Sequence, residues 1–153
     1  MNEIKLKKIE SKRYIKNNFL FKIENDNKFN GIIQHLLTKS KGEIQNEIDI
    51  TSSTLDDQLH SQYCALSFND PEKYFASKNQ PNQWICFDFK EHKVKITNYT
   101  IRTFGGKNNP KFWVIEGSVN GVDFTILDTQ ENCEYTKNSN SCHTFKIESE
   151  QAK

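Results

Sequence analysis

The chain lacks most of the features that announce a function in a sequence. No apolar run approaches the roughly 20 residues of a membrane helix, and no charged start leads into an apolar segment of the secretory kind. None of the four cysteines belongs to a C-x-x-C pair, which disfavours zinc-binding and thioredoxin-like chemistry. Gly105-Gly106 lacks the G-x-G-x-x-G spacing of a phosphate-binding turn. We therefore expect no cofactor and no metal ion.

An excess of charge of one sign is also missing. The 21 basic and 20 acidic residues give a formal net charge of +1, so no long-range field would recruit nucleic acid or an anionic membrane. Cys133 and Cys142 flank a polar loop and would pair only under oxidation. With no leader peptide visible, the sequence predicts a cytoplasmic protein that neither binds nucleic acid nor inserts into a membrane.

The residues that usually perform catalysis are scattered. The four histidines fall in a helix, a loop, a turn and a late strand, and no cysteine has a base beside it in a recognisable motif. Asp56-Asp57 does not continue into the Asp-x-Asp-x-Asp-Gly pattern of a calcium loop. The sequence therefore predicts a protein that is not an enzyme, with no catalytic residue.

What the sequence does contain is alternation of apolar and polar residues. In WICFDF, Ile85, Phe87 and Phe89 recur at a spacing of two, and in FWVIEG, Phe112 and Val114 are expected to oppose Trp113 and Ile115. Asn120-Gly121 predicts a tight hairpin whose central residues both take positive φ. Short strands separated by polar turns predict an all-β protein, either a sandwich or a barrel.

The residues before these strands predict an arm and a short helix. The arm is basic, and Phe19, Phe21 and Ile23 alternate near its end, which indicates a strand there. Asn30 is a plausible N-cap and Gly42 a plausible stop for a helix with one apolar stripe. The predicted organisation is a basic arm, a sheet domain and a polar tail: 1–28, 29–148 and 149–153.

Three blocks follow one another in an order that is typical of one family. They are the strand DITSST, the stretch SKNQPNQWICFDFKEHKVKITNYTIRT with its polar loop and apolar-x-Asp strand, and the hairpin KFWVIEGSVNGVDFTIL. Together they resemble the discoidin domain, also called the coagulation-factor type C domain, and most of all its intracellular, adaptor-associated branch. The resemblance covers residues 29–147. It implies an antiparallel β-sandwich jelly roll of the galactose-binding-like fold, preceded here by the short helix.

The chain departs from the family pattern in two places. The family closes its sandwich with an Arg-rich strand and a final apolar strand, whereas this chain has only a polar tail after Ile147. Either the chain is a truncated product, or the arm fills the vacancy through the strand predicted at Phe19–Ile23; an unfilled gap would invite pairing with another chain. The loop 54–61 reads TLDDQLHS, which is a poor lipid inserter, so a phospholipid role is disfavoured.

The resemblance places ligand binding in three loops, 54–61, 74–83 and 103–111. Amides, hydroxyls and cations in and beside them suit hydrogen bonding to peptide carbonyls, carboxylates or sugar hydroxyls. The candidate ligand-binding residues are Ser77, Lys78, Asn79, Arg102, Lys107 and Asn108.

Two functions remain open at this point. The first is non-catalytic recognition of a protein partner, within an intracellular scaffold or adaptor. The alternative is a carbohydrate-binding module, which would need an exposed aromatic ring near the polar loops. Trp84 and Trp113 lie in alternating strands, so we expect them to fill the core rather than to serve as sugar platforms.

Overall fold

The computed structural model describes residues 2–7, 21, 29–56, 61–70, 72–90, 92–103, 110–133 and 141–148 of the 153-residue chain. In these ranges the chain is mostly strand with one short α-helix, which agrees with the predicted class. No helix among them is long and apolar enough to cross a membrane. Of the strand predicted at Phe19–Ile23, only Phe21 is described, and it lies outside any strand; the tail 149–153 also lies outside the described residues.

Seven strands and one α-helix account for the described secondary structure, together with short 3-10 turns at Ile44–Asn46 and Gln62–Leu66. In chain order the elements are β1 (Asn2–Lys7), α1 (Ile32–Lys39), β2 (Asp49–Ser52), β3 (Trp84–Asp88), β4 (Asn98–Arg102), β5 (Trp113–Ser118), β6 (Thr125–Gln130) and β7 (Cys142–Lys146).

The described strands form two sheets. A five-stranded sheet has the order β2-β3-β1-β5-β6, and β4 and β7 form a two-stranded sheet. The β2–β3, β5–β6 and β4–β7 pairs are antiparallel, but β1 runs parallel to both of its neighbours. This strand departs from the predicted antiparallel arrangement. Long stretches of chain separate β1 from β3 and β5, and a parallel pair needs such a long connection rather than a tight turn.

The helix begins one residue later than its sequence signal. Gly31, in extended backbone, is the N-cap and makes no side-chain cap, whereas Asn30 was the predicted cap. The helix ends at Lys39, with Ser40 as its C-cap, and the left-handed backbone begins at Lys41 (φ 52°), before the predicted stop at Gly42. The Gly42 N–H still donates to the Leu37 carbonyl at 3.3 Å, across the end of the helix. An eight-residue helix is unstable alone, so α1 depends on packing through Leu36, which is fully buried.

The main core lies between α1 and the β2–β3 pair. Its buried members are Leu36, Ile44, Ile48, Ile50, Leu66, Ile85 and Phe89. Each such side chain contributes about 1.5–3 kcal/mol by leaving water, before the cost of chain ordering. Phe87 packs against the same cluster, as its spacing from Ile85 and Phe89 predicted. Cys86, at the alternate position of β3, is buried as well.

The two sheets contact each other through four side chains, here called the inter-sheet cluster: Tyr99, Trp113, Asp128 and Phe145. Phe145 stacks on Tyr99 at 5.1 Å and meets the edge of Trp113 at 5.2 Å. Trp113 Nε1 donates to the Tyr99 hydroxyl at 2.9 Å, and that hydroxyl donates to Asp128 at 2.6 Å. Trp113 is 1% exposed, so it fills the core as predicted, and the cluster satisfies its N–H.

Two details of the β5–β6 hairpin differ from the sequence prediction. Phe112 lies before β5 and is 43% exposed, whereas Trp113, Val114 and Ile115 are all buried. The turn is longer than type I′, and only Gly121 has positive φ there. Asn120 explains the difference, because its side-chain oxygen accepts the N–H groups of Val122 and Asp123, each at 2.9 Å.

Candidate functional site

Hydroxyl and amide side chains join the end of β2 to the start of β3. Ser53 and Thr54 both donate to Oε1 of Gln83, at 3.0 Å for Ser53. The Trp84 N–H donates to Ser53 Oγ at 3.0 Å, and Gln83 Nε2 donates to the Pro81 carbonyl at 3.2 Å. Gln83 is only 6% exposed, so its amide is a buried polar group with its hydrogen bonds made.

The same residues hold two of the predicted binding loops side by side. The Lys78 N–H donates to Thr54 Oγ1 at 3.0 Å, and the Asp56 N–H donates to the Ala76 carbonyl at 3.0 Å. Ser77 is half-buried, while Lys78 and Asn79 are exposed at the tip of their loop. The structure therefore brings Ser77, Lys78 and Asn79 against the loop that follows β2.

Arg102, the last residue of β4, has its guanidinium on a neighbouring loop. Nη1 donates to the Phe68 carbonyl at 2.5 Å. Nη2 faces three more backbone carbonyls, at 2.9, 2.7 and 3.1 Å: those of Ser67, Asp70 and Lys73. This loop leads directly into the 74–83 loop. The structure thus gives Arg102 a positioning role that the sequence did not show, and its predicted contact with a ligand stays a prediction.

The third predicted loop is described only at its two ends. Lys107 and Asn108 fall in 104–109, outside the described residues. Thr103, directly after Arg102, is buried and donates through its N–H and its hydroxyl to the Ser141 carbonyl, at 2.9 and 3.2 Å. The described start of this loop, Thr103, is therefore held to the Ser141 carbonyl directly after Arg102.

We call the resulting assembly the polar loop cluster; it consists of Ser53, Thr54, Ser77, Lys78, Asn79, Gln83 and Arg102. It lies where β2 ends and β3 begins, with Arg102 linked to it through the 67–73 loop. Sequence reasoning missed Ser53, Thr54 and Gln83. The adjacent hydroxyls of Ser52-Ser53-Thr54 and an amide just before a strand were the available signal. Their partners lie about thirty residues away, so local pattern could not pair them.

A second group of charged residues lies at the opposite end of the β2–β3 pair. Glu47 Oε2 lies 2.6 Å from His92 Nε2 and 3.0 Å from Lys39 Nζ. Lys90 Nζ lies 3.1 Å from Asp49. The hydrogen bond from His92 is the main cause that lowers the pKa of Glu47, and Lys39 adds to it, while partial burial opposes the shift. These contacts join α1 to the segments that flank β2 and β3.

Among the described residues, the cysteines and the potential metal ligands form no second candidate site. Cys133 and Cys142 are not joined in a disulfide, and burial, with the charge of Asp128, raises the pKa of Cys133. Within the described ranges, no three His, Cys, Asp or Glu side chains come together in a way that could hold a metal ion. The exposed ring of Phe112 lies one residue beyond the third predicted loop.

Comparison of the chain with models of protein families, with curated proteins and with solved structures found no match in any of the three.

Proposed function

We propose that the protein is a non-catalytic recognition module that binds a protein partner through the polar loop cluster. The observation that carries the proposal is the bonding between the two loops after β2 and before β3. Lys78 donates its backbone N–H to Thr54, so the backbone at the tip is fixed while the Lys78 and Asn79 side chains are exposed. A loop ordered before binding loses less conformational freedom on binding.

The chemistry of the cluster suits a peptide ligand. An ammonium group on Lys78 attracts a carboxylate, and the amide of Asn79 both donates to and accepts from a peptide group. Arg102 supports the site indirectly, because its hydrogen bonds fix the 67–73 loop, which leads into the 74–83 loop. Exposed side chains thus contact the ligand, and hydrogen-bonded side chains hold the loops in place.

The proposal also covers the fold family and the setting in which the protein acts. We propose a galactose-binding-like jelly roll of the discoidin type, acting in an intracellular scaffold or adaptor. It is supported by the three sequence blocks, by the mostly β architecture and by two sheets whose side chains meet in the inter-sheet cluster. Recognition by loops on a rigid sheet scaffold is a common arrangement.

A comparative capture experiment tests the partner-binding role. Immobilised wild-type protein and the double variant Lys78→Ala/Asn79→Ala are exposed to the same lysate, and the retained proteins are quantified by mass spectrometry. The matched control is Gln45→Ala/Lys95→Ala, which changes two exposed residues away from the cluster. Partners that both wild type and control retain should be captured in about tenfold lower amount by the double variant. That factor corresponds to a loss of about 1.4 kcal/mol of binding free energy. Equal capture by all three proteins would overturn the proposal.

One observation favours carbohydrate binding as a second candidate. Phe112 is 43% exposed and directly follows the third predicted loop in the sequence, so an exposed aromatic ring is available. A glycan array with wild type and Phe112→Ala separates the two functions. Saturable glycan binding that is lost in Phe112→Ala, with no protein partner captured, would replace the first proposal by the second.

A further inference from the structure

The dipeptide Asn-Gly occurs twice in the chain, and both copies lie in the described residues. Asn30-Gly31 precedes α1, and Asn120-Gly121 lies in the turn between β5 and β6. Both asparagines are exposed to solvent. The dipeptide is chemically labile, because glycine has no side chain to shield its backbone nitrogen from the asparagine amide carbon beside it. The chain therefore has two positions at which a covalent change needs no enzyme.

The reaction at such a dipeptide is deamidation, and water is its only co-reactant. The backbone nitrogen of the glycine bonds to the amide carbon of the asparagine, and that carbon loses its bond to Nδ2. Nδ2 leaves as ammonia and takes the proton that the glycine N–H gives up. Water then opens the cyclic imide at either carbonyl, which yields aspartate or isoaspartate with a new carboxyl group. The amide must therefore be free to turn toward the glycine nitrogen before the ring can close.

In the turn between β5 and β6, the Asn120 amide is held from several directions. Its oxygen accepts the N–H groups of Val122 and Asp123, each at 2.9 Å, and the Ser118 hydroxyl at 3.0 Å. Its nitrogen donates to Asp123 Oδ2 at 2.7 Å. The Gly121 N–H donates to Ser118 Oγ at 2.9 Å, so the attacking nitrogen is occupied too. Ring closure at this site requires the amide to leave these partners first.

Asn30 belongs to the same dipeptide but lacks this restraint. The Gly31 N–H donates to the Phe29 carbonyl at 2.8 Å, so the attacking nitrogen is occupied here as well. Among the described residues, however, no hydrogen bond is made by the Asn30 side chain. Apart from its chain neighbours, no atom lies within 4 Å of the position that a Cβ on Gly31 would take, so the space beside the nitrogen is open. The two sites therefore differ mainly in the freedom of the asparagine amide.

We propose that Asn30 is a site of spontaneous deamidation in the folded protein, and that the hydrogen bonds of the β5–β6 turn protect Asn120 from the same reaction. The consequences at the two sites also differ. A carboxylate at Asn30 lies next to the N-cap Gly31 of α1, whose first turn holds no acidic residue, and a negative charge is favourable at a helix N-terminus. A carboxylate at Asn120 would instead face Asp123 across a 2.7 Å contact and repel it. The fold thus leaves open the site where the new charge is tolerated.

The folded chain is incubated at mildly alkaline pH in water enriched in heavy oxygen, and mass spectrometry follows the peptides that contain each asparagine. Heavy oxygen marks the carboxyl groups formed during the incubation. We expect Asn30 to react at least about tenfold faster than Asn120, since each hydrogen bond that must open first lowers the rate by a factor of about two to ten. In urea, where the turn is lost, the two sites should react at similar rates. Equal rates in the folded chain would overturn the proposal, and so would the same preference in urea.

Variants of the turn test the cause of the protection. Ser118→Ala/Asp123→Ala removes the side-chain partners of the Asn120 amide and should raise its rate by about fivefold or more. The rate at Asn30 should not change. The matched control Thr125→Ala, at an exposed position of the same hairpin, should leave both rates at their wild-type values. Ser118→Ala alone should give an intermediate rate, and it carries the test if circular dichroism shows that the double variant is unfolded. A wild-type rate at Asn120 in a folded variant would overturn the protection.

Discussion

At the scale of single residues, Arg102 illustrates how one side chain can order a loop. Its guanidinium serves four backbone carbonyls between Ser67 and Lys73, in a segment that follows the short 3-10 turn at Gln62–Leu66. Half-buried carbonyls need donors, and the planar guanidinium offers several in fixed directions. The consequence extends to the polar loop cluster, because the 74–83 loop starts where this one ends.

Replacement of Arg102 by alanine should therefore lower the free energy of unfolding by about 1.5–3 kcal/mol, the range for hydrogen bonds to a charged group. Arg102→Lys should recover less than half of the loss, since a compact ammonium cannot reach the same carbonyls. Urea denaturation followed by circular dichroism measures both variants. Wild-type stability in Arg102→Ala would show that the loop does not depend on this residue.

Glu47 gives the second prediction at this scale. Its pKa lies below its usual value of 4.5, mainly because His92 donates a hydrogen bond to the carboxylate. A carboxylate with a lowered folded pKa stabilises the fold fully above its unfolded pKa, and the contribution is lost as pH falls through the folded value. The stability difference between wild type and Glu47→Gln should shrink as the pH falls below about 4.5. Urea titrations across this range measure it, and a difference that grew on acidification would contradict the assignment.

At the scale of elements, the residues that alternate in sequence became strands, and the exceptions have local causes. Phe87 packs against the core cluster that contains Ile85 and Phe89, as their spacing predicted, although Cys86 on the alternate position of β3 is buried too. Asn120-Gly121 predicted a two-residue turn, yet the Asn120 side chain takes up backbone N–H groups further along. A side-chain acceptor of that kind permits a longer loop that the dipeptide signal alone does not describe.

The hairpin yields a prediction with a matched control. Asn120→Ala removes the acceptor of two exposed backbone N–H groups and should cost about 0.5–1.5 kcal/mol of unfolding free energy, the net value of an ordinary hydrogen bond. Asn120→Asp/Asp123→Asn keeps the accepting oxygen at residue 120 and retains a donor–acceptor pair at the 2.7 Å contact with residue 123, so it should stay within about 0.5 kcal/mol of wild type. Thermal and urea denaturation of the pair measure the difference. Equal losses in both variants would exclude the acceptor role of the Asn120 oxygen.

β1 is the element that sequence reasoning could not find. Its six residues, NEIKLK, contain two apolar positions within a basic arm, and its partners lie far along the chain. Local periodicity identifies strands but carries little information about parallel pairing over such distances. The arm was expected to contribute its strand at Phe19–Ile23, and the strand that the structure describes is nearer the start.

A central position for β1 makes it sensitive to proline. Ile4→Pro removes a backbone donor in the middle of the sheet and should lower the unfolding free energy by about 3 kcal/mol or more. Asn2→Pro, at the first residue of the same strand, should be tolerated within about 1 kcal/mol. Urea denaturation measures both. Equal stability of the two variants would argue that β1 is not held between β3 and β5.

At the scale of the whole molecule, the β2–β3 pair has different chemistry at its two ends. One end holds the polar loop cluster, and the other holds Glu47, His92 and the lysines that join α1 to the sheet. The sequence predicted the loops and the exposed Lys78 and Asn79, because polarity and turn residues are local properties. It did not predict the support from Ser53, Thr54 and Gln83, because that support depends on contacts between distant segments.

The measurement that tests recognition by the polar loop cluster most directly is a titration of isotope-labelled protein, followed by amide resonances. The titrant is the partner retained most strongly by wild type in the capture experiment. The account predicts the largest shifts at residues 53–56 and 76–79, with the amides of 44–49 and 92–95 nearly unchanged. Shifts concentrated at 44–49 and 92–95, with 76–79 unmoved, would contradict it.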